Sequence, residues 1–356
     1  MLRELKTYQP GGSLEAVKHR LKRAAVIKLA SNENALGPSP KAVAALRQAT
    51  GMLHRYPDAA CTELRARLAK RWKVAPESVI VGNGSDELIV LALRAFVDPG
   101  DHVVVARPTF LIYELQAKAC GASITAVALR HYRYDLAAMR QAIAPHTKLV
   151  FIANPDNPTG TYVTRQELTA FLRDLPGEVI VFLDEAYYEF VEASDYPQTL
   201  PYVKEGRSVI VTRSFSKAYG LAGLRIGYGF APPPVVAAMN AVREPFNVNS
   251  LAQAAAVAAL EDRAYLARTR AVLHEGRRYL MKSLETLKIR YVPSVTNFLL
   301  IELGPRAPEI AQALLARGVM VRDMSAWQLA TCIRVTVGTM AENRTFIQAL
   351  KRCLGG

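Results

Sequence analysis

One lysine of the chain stands where its amine could act as a nucleophile. Lys217 lies in the segment SFSKAYGLAGLRIGY, Ser214–Tyr228, between two small hydroxyl residues on one side and a glycine-rich segment on the other. A lysine held among apolar residues and small hydroxyls can lose its proton near neutral pH, and only the neutral amine attacks a carbonyl to form a Schiff base. Most lysines are simply solvated at the surface, so this interpretation needs partner groups elsewhere in the chain.

An aspartate at the end of an apolar run is a second candidate. Asp184 ends the run EVIVFLD, where burial of an unpaired carboxylate costs on the order of several kcal/mol. It therefore needs a cationic partner, and a protonated ring nitrogen would serve. The alternative is that Asp184 only caps a helix that follows its strand.

Donors suited to a phosphate accompany these two residues. The turn GNGS, Gly82–Ser85, lies between an apolar run and a helical pattern, where backbone N–H groups can approach an anion. An ordinary capped turn explains this segment equally well. Ser214, Ser216 and Arg225 would add hydroxyl and guanidinium donors. A ring that carries a phosphate, an aldehyde and a basic nitrogen satisfies all of these groups at once, and pyridoxal phosphate is such a ring.

The elements that must position these groups alternate between residues 75 and 230. Apolar runs indicate strands at 79–81, 103–105, 124–129, 149–153, 179–183 and 209–212, and helical patterns cover 86–96, 109–120 and 165–175. Apolar strands separated by helices predict an α/β domain with a mainly parallel sheet covered by helices. Because ligands of such sheets bind beyond the carboxyl ends of the strands, the polar segments after these strands should form the active site.

The pattern changes after residue 245 and predicts a second domain. A long Ala-rich helical stretch, Ser250–Leu287, leads into short strands and helices, as expected for a smaller α+β domain. We therefore divide the chain into an N-terminal arm (1–30), a large domain (31–245) and a small C-terminal domain (246–356). The arm is too short to fold alone and is expected to pack on the small domain or on a partner chain.

Composition excludes several classes of protein. The 356 residues are 51% apolar and 21% charged, which suits a folded chain with a large core. No apolar run reaches the length of a signal peptide core or of a membrane span, so we expect a cytoplasmic protein with no membrane partner. Cys61, Cys120, Cys332 and Cys353 lie far apart without a CxxC pair, so no metal site and no disulfide framework is predicted.

The net charge of +14 favours anionic partners. Nucleic acid is one such class, but the basic residues are spread along the chain and no nucleic-acid motif accompanies them. Solvated helix faces explain the densest basic clusters, and a small anionic ligand explains a positive field equally well. No nucleic-acid partner is predicted.

Four motifs, in this order, resemble those of the pyridoxal-phosphate aminotransferases with the aspartate aminotransferase fold. They are the Gly-rich turn at 82–86, NPDNPTG at 154–160, DEAY at 184–187 and SFSK with Arg225 at 214–225. Within that superfamily the chain is similar to the histidinol-phosphate aminotransferases in five segments, one of which extends DEAY: LKTYQPGG at 5–12, LASNENALGPSP at 29–40, RYPD at 55–58, DEAYYEF at 184–190 and IRVTVGT at 333–339. The resemblance extends nearly from end to end.

This resemblance implies a role for each matching residue around pyridoxal 5′-phosphate. Lys217 would be the Schiff-base lysine and the proton shuttle, and Asp184 would pair with the ring nitrogen. Asn157 and Tyr187 would bond the ring hydroxyl, and Phe110 would stack on the ring. The residues implied around the cofactor phosphate are Ser85 and Asp86 through their backbone N–H groups, Ser214, Ser216, Arg225 and, from the second subunit of a homodimer, Tyr56.

The resemblance also implies a substrate pocket. Arg334, Arg322 and Tyr8 would hold the phosphate of histidinol phosphate, and Asn34 is a further expected substrate ligand. The amino group would be exchanged with 2-oxoglutarate and glutamate. Alternative activities are those of an aromatic amino-acid aminotransferase and of a threonine-phosphate decarboxylase.

Two departures from the family pattern bear on the pocket. Phe110 stands where tyrosine also occurs, and MSAWQLATC, 324–332, lacks the glycine-centred loop that many members have, so Trp327 could reshape the substrate site.

A different class of function is that of a regulatory protein that uses an aminotransferase-like domain as a sensor. The large domain begins within about 30 residues of the first residue, which leaves no room there for an added DNA-binding segment.

Overall fold

The computed structural model describes residues 14–21 and 25–355. Its helices are α1 (Leu14–Leu21), α2 (Pro40–Ala49), α3 (Thr62–Trp72), α4 (Ser85–Phe96), α5 (Ile112–Ala119), α6 (Leu136–Gln141), α7 (Arg165–Arg173), α8 (Leu200–Lys204), α9 (Pro233–Ala241), α10 (Ser250–Glu261), α11 (Arg263–Thr286), α12 (Ala307–Ala316) and α13 (Met340–Leu354). Its strands are β1 (Ile27–Lys28), β2 (Val79–Gly82), β3 (His102–Arg107), β4 (Ser123–Ala128), β5 (Thr147–Ala153), β6 (Ile180–Asp184), β7 (Val209–Ser214), β8 (Gly227–Phe230), β9 (Tyr291–Val292), β10 (Phe298–Glu302), β11 (Val319–Met320), β12 (Arg322–Asp323) and β13 (Cys332–Thr336).

A seven-stranded sheet organises the larger part of the chain. Its strand order is β2-β8-β7-β6-β5-β3-β4, and only β8 runs antiparallel to its neighbours. This confirms the predicted mainly parallel sheet. β8, with the sequence GYGF, was not predicted, because its two glycines hide the apolar pattern of a strand. Gly227 is needed there because a Cβ atom would lie 2.4 Å from the Ser85 backbone nitrogen at the start of α4.

Burial on both faces explains why the strands are apolar throughout. In β6 all five residues are buried, and alternate residues contribute to two different cores. Val181 and Leu183 face one core, whereas Ile180 and Phe182 face the other. Helices on the two sides cover these cores, as expected for a parallel sheet.

The register of the central strands brings their polar ends to one edge. Ala153 of β5 lies beside Asp184 of β6, and Asp184 lies beside Thr212 of β7. The segments that follow these strands, with NPDNPTG and SFSK, therefore start side by side. The fold places them where ligands of parallel sheets bind.

A smaller antiparallel sheet, β12-β13-β10-β9, packs against α11, α12 and α13. A separate two-stranded pairing joins β1 to β11 in parallel, with Ile27 opposite Val319. Val17 of α1 is buried with Ala30 and Met320 beside this pairing. The described part of the N-terminal region therefore packs against elements from the C-terminal third of the chain.

The predicted long helix 250–287 is wrong in one respect, because the structure divides it into α10 and α11 at Asp262. The Asp262 carboxylate accepts hydrogen bonds from the Tyr265 backbone N–H and from the Ser39 hydroxyl, so it caps a new helix.

Across residues 14–21 and 25–355, none of the helices combines the length and apolar character that a membrane crossing requires.

Candidate active site

A cavity of about 410 Å³ opens at the carboxyl edge of the large sheet. Its walls are formed by the segments that follow β2, β3, β5, β6 and β7, by residues 30–33, and by two arginines of the smaller sheet. The volume lies within the range of about 300–1,000 Å³ that is usual for small-molecule sites. The predicted residues on its walls are Ser85, Asp86, Phe110, Asn157, Asp184, Tyr187, Ser214, Ser216, Lys217, Arg225, Arg322 and Arg334.

The Lys217 amine has the environment of a nucleophile. It is half-buried, and its Nζ lies 3.4 Å from the Ser31 carbonyl oxygen, to which it donates a hydrogen bond. Burial, and then the positive charge of Arg334, lower the pKa of Lys217 to about 8. A substantial fraction of the amine is therefore neutral just above neutral pH.

Asp184 is a buried carboxylate that no cation of the described chain neutralises. It accepts hydrogen bonds from the Tyr113 hydroxyl at 2.7 Å, from the Ala186 backbone N–H at 3.1 Å and from the Thr212 hydroxyl at 3.5 Å. Burial raises the pKa of Asp184 to about 6, although the hydrogen bonds from Tyr113 and Ala186 oppose that shift. A protonated ring nitrogen would supply the missing positive charge.

A cradle of donors surrounds the N-terminus of α4. Gly84, at φ +85°, precedes the helix, and a Cβ atom there would lie 2.6 Å from a guanidinium nitrogen of Arg225. Arg225 reaches the Ser216 hydroxyl at 3.5 Å and the Asp86 carboxylate at 3.4 Å. Ser214 accepts a hydrogen bond from the Ser216 backbone N–H. Helix N–H groups, hydroxyls and a guanidinium around one point suit a phosphate group.

Two arginines of the smaller sheet also line the cavity. Arg322 of β12 is the cross-strand neighbour of Arg334 of β13. Their guanidinium carbons lie 5.0 Å and 5.9 Å from the centroid of the Trp327 ring. Arg334 is buried and donates to the Asn157 side-chain oxygen and to the Ala30 carbonyl oxygen. The two guanidinium groups therefore bring positive charge to the part of the cavity wall that the smaller sheet supplies.

Aromatic and amide groups also line the cavity. Phe110 contacts Tyr113 edge to face, with ring centroids 5.6 Å apart. The Tyr187 hydroxyl accepts a hydrogen bond from the Asn32 side-chain amide at 2.9 Å. The Asn157 oxygen is engaged by Arg334, so its amide NH₂ is the group that could bond a ring hydroxyl.

Two predicted residues lie away from the cavity, and a third cannot be placed. Tyr8 falls outside the described residues. Asn34 is not among the described residues that line the cavity, and its amide donates to the Ala218 carbonyl oxygen and to the Tyr265 hydroxyl. Tyr56 is 82% exposed and stacks on Phe246 with ring centroids 4.6 Å apart, away from the cavity of its own chain.

Residues that sequence reasoning missed also contact the site. Tyr113 lies three positions after Phe110, on the same side of the segment that leads into α5, and this spacing was an available signal. Asn32 belongs to the same LASNEN segment as Asn34, but its long-range contacts leave no local pattern in the sequence. Ser31 and Glu33 line the cavity as well.

These side chains fit pyridoxal phosphate in three respects. The buried Asp184 carboxylate requires a cation, the α4 cradle suits a phosphate, and the Lys217 amine has a lowered pKa. The cradle, Asp184 and Lys217 all line the same cavity, as one ring with these three groups requires.

Comparisons with known proteins agree with this fit. Residues 24–350 match the model of the family described as aminotransferase class I and II. The chain is 48% identical to a histidinol-phosphate aminotransferase of Moorella thermoacetica, over 98% of this chain and 91% of that protein. It is 43% identical to histidinol-phosphate aminotransferase 2 of Carboxydothermus hydrogenoformans, over 99% and 98% of the two chains.

A solved structure shows the same architecture. The histidinol-phosphate aminotransferase of Sinorhizobium meliloti, in complex with pyridoxal-5′-phosphate, superimposes with a TM-score of 0.91 at 29% identity, over 99% of this chain and 96% of that chain. A double mutant of Thermus thermophilus aspartate aminotransferase gives a TM-score of 0.85 at 25% identity. The chain therefore belongs to the aminotransferase class I and II family, as a member similar to the histidinol-phosphate aminotransferases.

Proposed function

We propose that the protein is a histidinol-phosphate aminotransferase that uses pyridoxal 5′-phosphate in histidine biosynthesis. It would exchange an amino group between L-histidinol phosphate and 2-oxoglutarate, with glutamate as the second amino acid. The relatives of 43–48% identity described above support this substrate, since their similarity covers nearly the whole chain.

The observation that carries the proposal is the pairing of Arg322 with Arg334 in the cavity that holds Lys217. Like charges directly opposite each other on neighbouring strands are destabilising. A phosphate dianion between the two guanidinium groups would convert this repulsion into charge-assisted hydrogen bonds. A neutral aromatic side chain in the same place offers no anionic acceptor to either guanidinium group.

The roles of the other residues follow from their positions. When bound, pyridoxal phosphate supplies a carbonyl carbon and a ring that takes up negative charge from the substrate Cα. Asp184 would keep the ring nitrogen protonated, and Asn157 and Tyr187 would bond the ring hydroxyl. The neutral Lys217 amine would remove the proton from the substrate Cα and later return a proton.

The phosphate of the cofactor would sit in the cradle at α4. The residues proposed to hold it are Ser85, Asp86, Ser214, Ser216 and Arg225. Phe110 would pack on the ring face. In the second half-reaction Arg334 would hold a carboxylate of glutamate, which has to use the same pocket.

We further propose a cytoplasmic homodimer without a nucleic-acid or membrane partner. Four large apolar side chains are exposed among the described residues: Met52, Leu53, Tyr56 and Phe246. Such a patch favours an interface with a second copy, from which Tyr56 would reach the partner's cofactor phosphate. The division into an arm (1–30), a large domain (31–245) and a small domain (246–356) is part of this proposal.

Steady-state kinetics with three donors test the substrate assignment. We expect L-histidinol phosphate to be the best donor, ahead of L-phenylalanine, and amino transfer rather than decarboxylation with threonine phosphate. Arg322→Gln should raise KM for histidinol phosphate by roughly 10- to 100-fold, because charge-assisted hydrogen bonds contribute about 1.5–3 kcal/mol each. KM for phenylalanine, whose ring carries no anion, should change less.

The matched control is Arg317→Gln, which removes an exposed arginine near the start of β11 and outside the cavity. It should leave KM unchanged for both donors. Equal losses for the two donors in Arg322→Gln would give Arg322 a structural role only. A parent enzyme that prefers phenylalanine would assign the protein to the aromatic amino-acid aminotransferases.

A further inference from the structure

Asn32 forms a buried contact with Tyr187 across a sequence separation of 155 residues. The Asn32 amide nitrogen donates to the Tyr187 hydroxyl oxygen at 2.9 Å, and both residues are buried. Both also line the cavity. Neither a packing role nor the motif resemblance accounts for an amide placed on this hydroxyl.

Thr336 fixes which end of the Asn32 amide faces Tyr187. The Thr336 hydroxyl oxygen accepts from the Asn32 backbone N–H at 2.9 Å. The hydroxyl proton is then free to bond the Asn32 side-chain oxygen, which lies 3.2 Å away. Because that oxygen is held by Thr336, the NH₂ end must point toward Tyr187.

The backbone of Asn32 is held as firmly as its side chain. Its φ is +56°, a left-handed conformation that asparagine tolerates better than most residues. The Asn297 amide donates to the Asn32 carbonyl oxygen at 2.9 Å. Asn297 directly precedes β10 and Thr336 ends β13, so the smaller sheet anchors a residue that acts on Tyr187.

A hydroxyl that accepts from an amide must direct its own proton elsewhere. We infer that Asn32 is a positioning residue that turns the Tyr187 hydroxyl into a donor toward an anionic oxygen of the ligand in the cavity. With pyridoxal phosphate bound, that oxygen is the ring hydroxyl oxygen in its ionised form. Donation to it stabilises the anion and lowers the pH at which the bound cofactor loses a proton.

The inference rests on the proposed function only in the position of the cofactor ring beside Tyr187. It does not depend on which amino donor the enzyme uses. A direct readout is the pH midpoint of the visible absorbance change of the bound cofactor, measured without any substrate. The dissociation constant for pyridoxal 5′-phosphate, measured by titration of the apoprotein, is a second readout.

Two substitutions of Asn32 change the contact in graded ways. Asn32→Asp replaces the donor with an acceptor of the same size, and Asn32→Gly removes the side chain while keeping the left-handed backbone accessible. We expect the midpoint to rise by roughly one pH unit for Asn32→Asp and by about half a unit for Asn32→Gly, as loss of one hydrogen bond implies. Cofactor affinity should fall by a few-fold.

The Tyr187→Phe background separates positioning from other effects. If Asn32 acts through the Tyr187 hydroxyl, Asn32→Gly causes no further shift in that background. The shift from Asn32→Asp should shrink to the part that its added charge causes. Asn343→Ala is the matched control, because Asn343 is also a buried asparagine with both ends of its amide hydrogen-bonded, but to Gly338 and not to a residue of the cavity wall. It should lower the melting temperature and leave the midpoint unchanged.

Two results would overturn the inference. One is an unchanged midpoint in both Asn32 variants, provided that they bind the cofactor and melt cooperatively. The other is an equal shift from Asn32→Gly with and without the Tyr187 hydroxyl. An enzyme that shows the expected shifts but does not accept histidinol phosphate would contradict the proposed substrate and leave the role of Asn32 intact.

Discussion

The Tyr113 hydroxyl donates a 2.7 Å hydrogen bond to the Asp184 carboxylate, and the Tyr113 ring contacts Phe110 edge to face. Tyr113 is fully buried and stacks on Phe151 with ring centroids 4.9 Å apart. One rigid side chain therefore touches both the residue proposed to hold the ring nitrogen and the residue proposed to cover the ring. Its contribution can be measured through the ionisation of Asp184.

Tyr113→Phe should make the apoprotein more sensitive to rising pH. Burial raises the pKa of Asp184 to about 6 from an ordinary value of 3.8, so stability present at low pH is lost as the pH rises between these two values. The hydrogen bond from Tyr113 opposes this loss. Without it the pKa should rise further, and the free energy of unfolding at pH 7.5 should fall by about 1.5–3 kcal/mol more than at pH 4.

Denaturant unfolding of the apoprotein at the two pH values measures this difference. Asp184→Asn is the control, because it removes the titrating group, and Tyr113→Phe should lose its pH dependence in that background. In the holoenzyme, Asp184→Asn should retain the cofactor and slow turnover by orders of magnitude, since an amide cannot keep the ring nitrogen protonated. Equal destabilisation by Tyr113→Phe at both pH values would reduce Tyr113 to a packing residue.

The sequence predicts those site residues whose position in the fold depends on their place next to the end of a strand. Asp184 and Lys217 could be identified because Asp184 ends an apolar strand and Lys217 lies three residues after the end of another, and parallel strands bring their carboxyl ends together. Asn32 could not be distinguished from Asn34 in this way. Its contacts with Tyr187 and Thr336 span 155 and 304 residues, so they depend on how the two sheets pack together.

Two features of the backbone, strand β8 and the helix break at Asp262, were not predicted from the sequence. β8 lacks the apolar pattern of a strand, yet its glycines allow the close approach that seats α4 against the sheet. The break at Asp262 was missed because helical patterns continue on both sides of it. In both places one tertiary contact outweighs local propensity, which is a weak determinant of structure.

Lys217 should be the residue that carries the cofactor. Borohydride reduction followed by peptide mapping is expected to place the label on Lys217, and Lys217→Ala should abolish turnover while the protein stays folded. Because the pKa of Lys217 is lowered to about 8, the rate of cofactor attachment to the apoprotein should rise with pH through that value. A label on any other lysine would refute the assignment.

The charge of Arg334 offers a matched comparison for this pH profile. Arg334 contributes to the lowered pKa of Lys217, whereas Arg322 is not among the main causes. Arg334→Gln should therefore move the attachment profile to higher pH, and Arg322→Gln should move it less. Identical profiles for both variants would mean that the charge of Arg334 does not contribute to the lowered pKa of Lys217.

The proposed role of Tyr56 predicts complementation between subunits. Tyr56→Ala and Lys217→Ala should each be impaired, but a mixed dimer contains one site with both native residues if Tyr56 acts across the interface. Random exchange of equal amounts should then restore about a quarter of the parent activity, because half of the dimers are mixed and each has one intact site. Sedimentation should show dimers throughout.

Leu53→Glu, in the exposed apolar patch, should weaken the dimer. Lys282→Glu, at an exposed position of α11, is the control for the change in charge and should leave the dimer intact. Full activity in a monomer, or no gain on mixing Tyr56→Ala with Lys217→Ala, would remove Tyr56 from the partner's site.

Gln328 takes a left-handed backbone conformation within the MSAWQLATC segment. It follows Trp327 and adopts φ +61° and ψ +24°, the left-handed region that costs most L-residues about 1–2 kcal/mol. Gln328→Gly should therefore raise the free energy of unfolding by about 0.5–1 kcal/mol, after the greater freedom of glycine in the unfolded chain is subtracted. Ala326→Gly, at an exposed position two residues earlier without a positive φ, should destabilise the protein instead.

KM for histidinol phosphate should stay unchanged in Gln328→Gly, because Trp327 remains in place beneath Arg322. A large rise in KM would mean that the strained turn itself shapes the substrate pocket.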